Sequence, residues 1–168
     1  SAQATDAGVN KATPALFAVA DTPERMAALG EERVQDLIKT IGLFRTKAKN
    51  VVALSKLLIE RHGGEVPRSR EALEALPGVG RKTAACVLLF GYGLPDIPVD
   101  THVGRVGQRL GLFREQASFE EMHDAIAAWT PPELAHEEHV NLIRHGRRTC
   151  HKRAPECEIC PLREICPS

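Results

Sequence analysis

Leu76-Pro77-Gly78-Val79-Gly80-Arg81-Lys82-Thr83-Ala84 is the stretch that decides the fold. Its pattern predicts the end of one helix, a tight Gly-x-Gly turn and a second helix that starts at once. Gly78 and Gly80 admit positive φ and leave the backbone bare. The N–H groups of the turn, including that of Val79, and of the new helix's first residues then face outward. Such a turn holds an anion, phosphate included, without any side chain. A nucleic-acid backbone can be held this way with no reading of base sequence. The alternative is a purely structural corner. A weaker echo precedes it at Ile41-Gly42-Leu43-Phe44-Arg45-Thr46-Lys47-Ala48, another helix–Gly–helix turn.

Lys82 falls in the first turn of the second helix. The positive end of a helix disfavours a protonated amine, and burial in a groove beside Arg81 would act in the same direction. These conditions make lysine a nucleophile. A simple phosphate contact is the other reading of the residue.

Outward from this turn the chain reads as helical almost throughout. Thr22-Pro23-Glu24 is a helix start, and Gly30 ends that short helix. Val34, Leu37, Ile38 and Ile41 recur at helical spacing up to Gly42. Thr46 is expected to cap the next helix, which reaches His62 before Gly63-Gly64. Ser69 opens the helix leading into the decisive turn. Ser118-Phe119-Glu120-Glu121 is a capping box, followed by Met122, Ile126 and Trp129 on the face of Phe119. No stretch alternates with period two. The clearest break is Gly91-Tyr92-Gly93-Leu94-Pro95 with Asp96-Ile97-Pro98. A boundary is expected there, with a first lobe over 1–94 and a second over 95–168.

After that break comes Val99-Asp100-Thr101-His102-Val103. Asp100 precedes a helical run that ends near Leu110, so it reads as an N-cap. A capping carboxylate stays ionised at the positive helix end, and can still face a groove and serve a cationic transition state. His102 fits a surface cap residue, a contact to a ligand or a catalytic group.

Of five cysteines, Cys86 sits alone in an apolar helical run and reads as a buried inert thiol. The others, Cys150, Cys157, Cys160 and Cys166, are spaced C-x6-C-x2-C-x5-C within 17 residues. Disulfides among them would close only small loops. Converging thiolates are soft ligands for zinc or iron. Zinc ribbons use two close pairs, whereas here one close pair is flanked by single cysteines. That spacing favours a four-cysteine iron–sulfur cluster over zinc.

The 168 residues carry 22 basic and 22 acidic side chains, 43% hydrophobic and 26% charged residues, which excludes disordered and collagen-like chains. The longest apolar run, Ala84 to Phe90, has seven residues, against about 20 for a membrane span. Neither a signal peptide nor a membrane anchor is read, so a cytoplasmic location is expected. Zero net charge hides opposed regions. Residues 112–140 carry one basic and seven acidic side chains, and residues 141–153 carry five basic and none acidic. A polarised surface with a local basic loop is therefore expected, which leaves nucleic acid as a partner.

Taken in order, Leu76-Pro-Gly-Val-Gly-Arg-Lys-Thr-Ala84, Val99-Asp-Thr-His102 and the four-cysteine loop resemble the endonuclease III family of DNA base-excision-repair glycosylases. The likeness begins at Ser1-Ala-Gln-Ala-Thr-Asp6 and runs to the last cysteine, with Ile41-Gly-Leu43 between. The resemblance implies an all-α fold of two lobes with a DNA groove between them: a helical barrel carrying the helix-hairpin-helix, and a lobe carrying a [4Fe-4S] cluster on Cys150, Cys157, Cys160 and Cys166. It implies a bifunctional DNA N-glycosylase and AP lyase acting as a monomer on oxidised pyrimidines and abasic sites in double-stranded DNA. Lys82 would be the nucleophile and Asp100 its carboxylate partner. Gln3, Leu43 and His102 would fill or probe the gap left by a flipped nucleotide. Gly78, Val79 and Gly80 would bind a phosphate, and Lys152 and Arg153 would touch the DNA backbone. The family normally carries more chain before Ser1, so part of the barrel lobe is expected to be missing. The alternatives are a non-catalytic helix-hairpin-helix DNA-binding protein and a mismatch-specific glycosylase of the same superfamily. Lys82 argues against both, since a scaffold has no need of it and the adenine-specific relatives lack it.

Overall fold

In the computed structural model, residues 4–168 are described, and all the regular structure among them is helical. The chain divides into two compact units, residues 1–79 and 80–168.

The first unit holds α1 (Asp6–Phe17), α2 (Pro23–Ile38), α3 (Phe44–His62) and the short α4 (Arg70–Glu74). Thr5, Thr22 and Ser69 cap α1, α2 and α4 with side-chain oxygens, each accepting from an N–H three residues on. Gly30, at φ 77°, kinks α2 where the sequence predicts the end of a short helix. The apolar spacing then delivers Met26, Val34 and Ile38 to a core with Leu16, Ala48 and Val52. Each such side chain contributes roughly 1.5–3 kcal/mol by leaving water. The α2–α3 corner departs from the expectation. The helical run stops at Ile38 rather than at Gly42, and α3 begins at Phe44, two residues before the expected cap Thr46. The left-handed backbone of this corner falls on Leu43 (φ 58°).

The second unit holds α5 (Arg81–Cys86), which runs on as a π-helical turn over Val87–Gly91. It continues with α6 (Thr101–Arg109), α7 (Phe119–Trp129), α8 (Ala135–Arg148) and the cysteine loop. Its core joins Leu89, Ile97, Val99, Val103, Val106, Phe113, Ile126 and Leu142. Residues 80–94, grouped with the first lobe on sequence, thus pack through Leu89 with the second unit. The helices α6 and α8 pack together, and Gly107 on α6 lies so close to the Phe113 ring that a Cβ there would overlap it. The Ser118–Glu121 capping box forms as read. On α7, Met122 and Ile126 are buried, while Phe119 and Trp129, at the ends of the same stripe, stay exposed. Among the described residues no helix is long and apolar enough to cross a membrane.

Candidate active site and cysteine loop

Residues 80–83 and 99–101 are far apart in sequence, yet they line one cavity of about 270 Å3 in the second unit. Lys82 and Asp100 both face it, with Arg81, Val99, Thr101, Phe119, Glu120 and His123. Lys82 stands in the first turn of α5 and its side chain is exposed, against the sequence expectation of burial. The half-buried cation is its neighbour. The Arg81 guanidinium pairs with Asp96 Oδ2 at 2.8 Å and reaches toward Asp124 at 3.8 Å. The positive charge beside Lys82 is therefore compensated.

Asp100 is the N-cap of α6. Its Oδ1 accepts from the N–H groups of His102 and Val103, both at 2.8 Å. Both bonds fall on one oxygen, so the second carboxylate oxygen is left out of the cap. Capping and acting on a reacting group are thus compatible in one side chain. His102 is half-buried, and its Nδ1 accepts from Arg105 Nη2 at 3.1 Å, which leaves Nε2 as the N–H nitrogen. Cys86, one turn along α5 from Lys82, is half-buried, and burial pushes its thiol up from the ordinary range, as befits an inert group.

The glycines of the decisive turn do different work. Gly78 is left-handed (φ 78°), and a Cβ on it would lie 2.7 Å from Asn50 Nδ2 and 2.9 Å from Asn50 Cβ. Gly80 is extended (φ −102°) and caps α5, with nothing within 4 Å of a built Cβ. Positive φ is therefore needed at the first glycine only. The Val79 N–H, expected to face outward, donates to Leu76 O at 3.1 Å. The Gly78 and Gly80 amides make no backbone–backbone hydrogen bond among the described residues. Leu43 is 56% exposed in its left-handed conformation, a costly pairing of apolar exposure and strain. Gln3 lies outside the described residues.

The four cysteines of the C-terminal loop line a second cavity of about 160 Å3, with Arg109, His145 and Thr149 on its wall. The four thiols on its wall are a donor set that suits an iron–sulfur cluster. Among the described residues no three His, Cys, Asp or Glu side chains converge closely enough to hold a single metal ion. Two arginines one turn apart on α6 tie the loop down, a role the sequence reading missed. Arg105 Nε donates to Cys150 O at 3.1 Å and its Nη2 to Gly146 O at 2.8 Å. Arg109 Nη1 donates to Cys150 Sγ at 3.2 Å and to His151 O at 2.7 Å. Arg109 O in turn accepts from Cys166 Sγ and Ser168 Oγ, so one residue joins both ends of the loop. Its only sequence signal was the i, i+4 spacing of two arginines after the capping aspartate. Lys152 and Arg153 on the loop are exposed.

Comparison with known proteins shows the family. Residues 1–132 match the HhH-GPD superfamily base excision DNA repair protein family. Endonuclease III of Treponema pallidum is 51% identical over 166 residues, 99% of this chain and 78% of that protein. Endonuclease III of Escherichia coli strain K12 is 48% identical over the same shares. The solved structure of a trapped endonuclease III–DNA covalent intermediate superposes with a TM-score of 0.90 at 43% identity, covering 98% of this chain and 78% of that one.

Proposed function

The chain belongs to the HhH-GPD superfamily of base excision DNA repair proteins, as an endonuclease III homologue with DNA glycosylase and AP lyase activity, and on that premise we propose which of its residues perform the reaction. Lys82 Nζ, as the free amine, attacks C1′ of a nucleotide flipped out of the duplex. The N-glycosidic bond breaks and its electrons leave with the damaged base, which takes up a proton. The sugar ring opens to a Schiff base on Lys82. Loss of a C2′ proton then expels the 3′ phosphate by β-elimination. Asp100 accepts the amine's proton and stabilises the cationic character that develops at C1′. Flipping is required because C1′ is shielded within a stacked duplex, and it costs least for damaged bases.

The observation that carries this reading is the shared cavity. An exposed lysine at a helix start and a capping carboxylate with a spare oxygen line one wall-to-wall space in the same unit. The covalent intermediate trapped with the structural relative is in keeping with an amine nucleophile. The substrates proposed are oxidised pyrimidines and abasic sites in double-stranded DNA, met by a monomer in the cytoplasm. Leu43, exposed and left-handed, is the wedge for the space a flipped base vacates. Lys152 and Arg153, with the Gly78 and Gly80 amides, take phosphates. His102, tied to Arg105, probes the same gap, and Gln3 is assigned there by resemblance alone. Cys150, Cys157, Cys160 and Cys166 would hold a [4Fe-4S] cluster, which supplies a rigid cross-link for the loop and carries electrons where a redox role exists.

Borohydride reduction on abasic-site duplex tests the assignment. The intact protein is expected to form a covalent adduct and Lys82→Ala none. An intact protein that is not trapped, or a Lys82→Ala variant trapped equally well, overturns it.

A further inference from the structure

A buried histidine holds the Pro98–Val99 peptide, one peptide before Asp100. Pro98 and Val99 are both buried, and the N–H of the peptide between them donates to His123 Nε2 at 2.9 Å. A backbone N–H can only donate, so His123 Nε2 keeps its lone pair. The ring proton is therefore on Nδ1, which donates to Phe119 O at 2.7 Å. On the other side of the same peptide His139 of α8 approaches Pro98, and its Nδ1 is buried with no hydrogen-bond partner. Two imidazoles thus flank the 98–99 peptide, with the hydrogen bond made by His123. They are 2% and 5% exposed.

We propose that His123 is a positioning residue, a clasp on the 98–99 peptide that holds the Asp100 carboxylate in register with Lys82 and opens when its imidazole is protonated. The inference rests on the reading of Asp100 as the reaction's carboxylate. Protonated His123 would turn an Nε2–H against the Val99 N–H, placing two donors together with no acceptor. The charged groups around it are Arg81 from α5, Asp96 from the loop before Val99 and Asp124 from its own helix. Around His139 lie Asp100, Lys82 and His136, with the Phe90 ring edge-on at 5.5 Å. In both cases burial dominates and pushes the imidazole below its ordinary value. A displacement of about 1 Å at a reacting group costs up to roughly a hundredfold in rate, so a slack clasp is felt in turnover before it is felt in binding.

The test uses the cluster-containing protein and two variants. His123→Leu fills the space without an acceptor, and His123→Gln places an amide oxygen where Nε2 stood and does not titrate. His123→Leu is expected to slow single-turnover base excision on the order of tenfold or more, with Kd for duplex holding an uncleavable abasic analogue changed by less than about threefold. His123→Gln should recover most of the rate and hold it at pH values below the ordinary imidazole range, where protonation of the buried ring costs the parent protein its rate. Long-range 1H–15N spectra should show the Nδ1–H form for His123. A folded His123→Leu at full rate, a His123→Gln as slow as His123→Leu, or an Nε2–H on His123 overturns the clasp. Should His123→Leu fail to fold, the pH profile of His123→Gln and the tautomer spectra decide. A fully active Asp100→Asn would sink both readings, whereas an inactive Asp100→Asn beside a fully active His123→Leu sinks the clasp alone.

Discussion

Asp100 carries two assignments, helix cap and reacting carboxylate, and replacing it by Asn separates them. Asn and Asp cap helices about equally well, and an Asn side-chain oxygen can accept the His102 and Val103 N–H bonds that Asp100 Oδ1 accepts at 2.8 Å. What Asp100→Asn removes is the negative charge. At the α6 N-terminus that charge is worth about 0.3–1 kcal/mol, or roughly 1–4 °C in Tm for a chain of this size. Removing the proton acceptor from the reaction should cost on the order of 10²–10⁴ in rate, at least about 2.7 kcal/mol of barrier. Asp100→Ala should lose both functions, with a further destabilisation of about 0.5–2 kcal/mol as two N–H groups lose their acceptor. The assay pairs thermal unfolding with single-turnover base release on lesion duplex, scored apart from strand nicking. A near-native Tm with a collapsed rate supports the double role. If Asp100→Asn excises at the parent rate, Asp100 is a cap and nothing more. If Asp100→Asn loses Tm as Asp100→Ala does, the two bonds on Oδ1 are not a cap that an amide can replace.

Gly78→Ala combines a left-handed backbone with overlap against Asn50 and should cost roughly 2–4 kcal/mol, while Gly80→Ala, extended and open, should stay within about 0.5 kcal/mol by denaturant titration. Leu43→Gly relieves positive φ and should leave stability unchanged or raised by up to about 1 kcal/mol, while excision slows several-fold in single-turnover assays. Arg109→Ala removes the donor to Cys150 Sγ and His151 O, so iron content per chain by metal analysis should fall well below that of the parent protein purified alongside. Stability to urea should decline as pH drops below about 6.5. The lowered His123 and His139 values keep both rings neutral in the fold while the unfolded chain takes up protons, so the unfolded state gains from acid.

Much of this molecule was legible in the chain because its signals are local. A Thr or Ser oxygen that accepts an N–H three residues on acts within one turn, so Thr22, Ser69 and the Ser118–Glu121 box announce their helices directly. The same holds for Asp100 as a cap and for Gly78 as a left-handed corner. The α2–α3 corner shows the limit. Glycine is the cheapest residue for positive φ, so Gly42 was the natural choice, yet the turn places that conformation on Leu43. Local cost was overruled there by how the chain enters α3. Lys82 was expected to be buried and is exposed, because the inward position at the start of α5 goes to Arg81, which finds Asp96 fifteen residues on.

By itself the sequence determined the all-helical class, and it nominated the four cysteines as ligands and Lys82 with Asp100 as the chemical pair, since each rests on residue type, spacing and the resemblance those motifs carry. Tertiary structure alone decided what surrounds them. The Arg109 tie to both ends of the cysteine loop spans more than 40 residues, and the His123 bond to the 98–99 peptide joins α7 to the turn before α6. Such contacts leave no periodic trace, because a buried histidine on an apolar helix face looks the same in sequence whether it fills space or holds one peptide in place. Only the packing of distant segments brings a lone pair within 2.9 Å of an amide N–H, and with it the orientation of the carboxylate that follows.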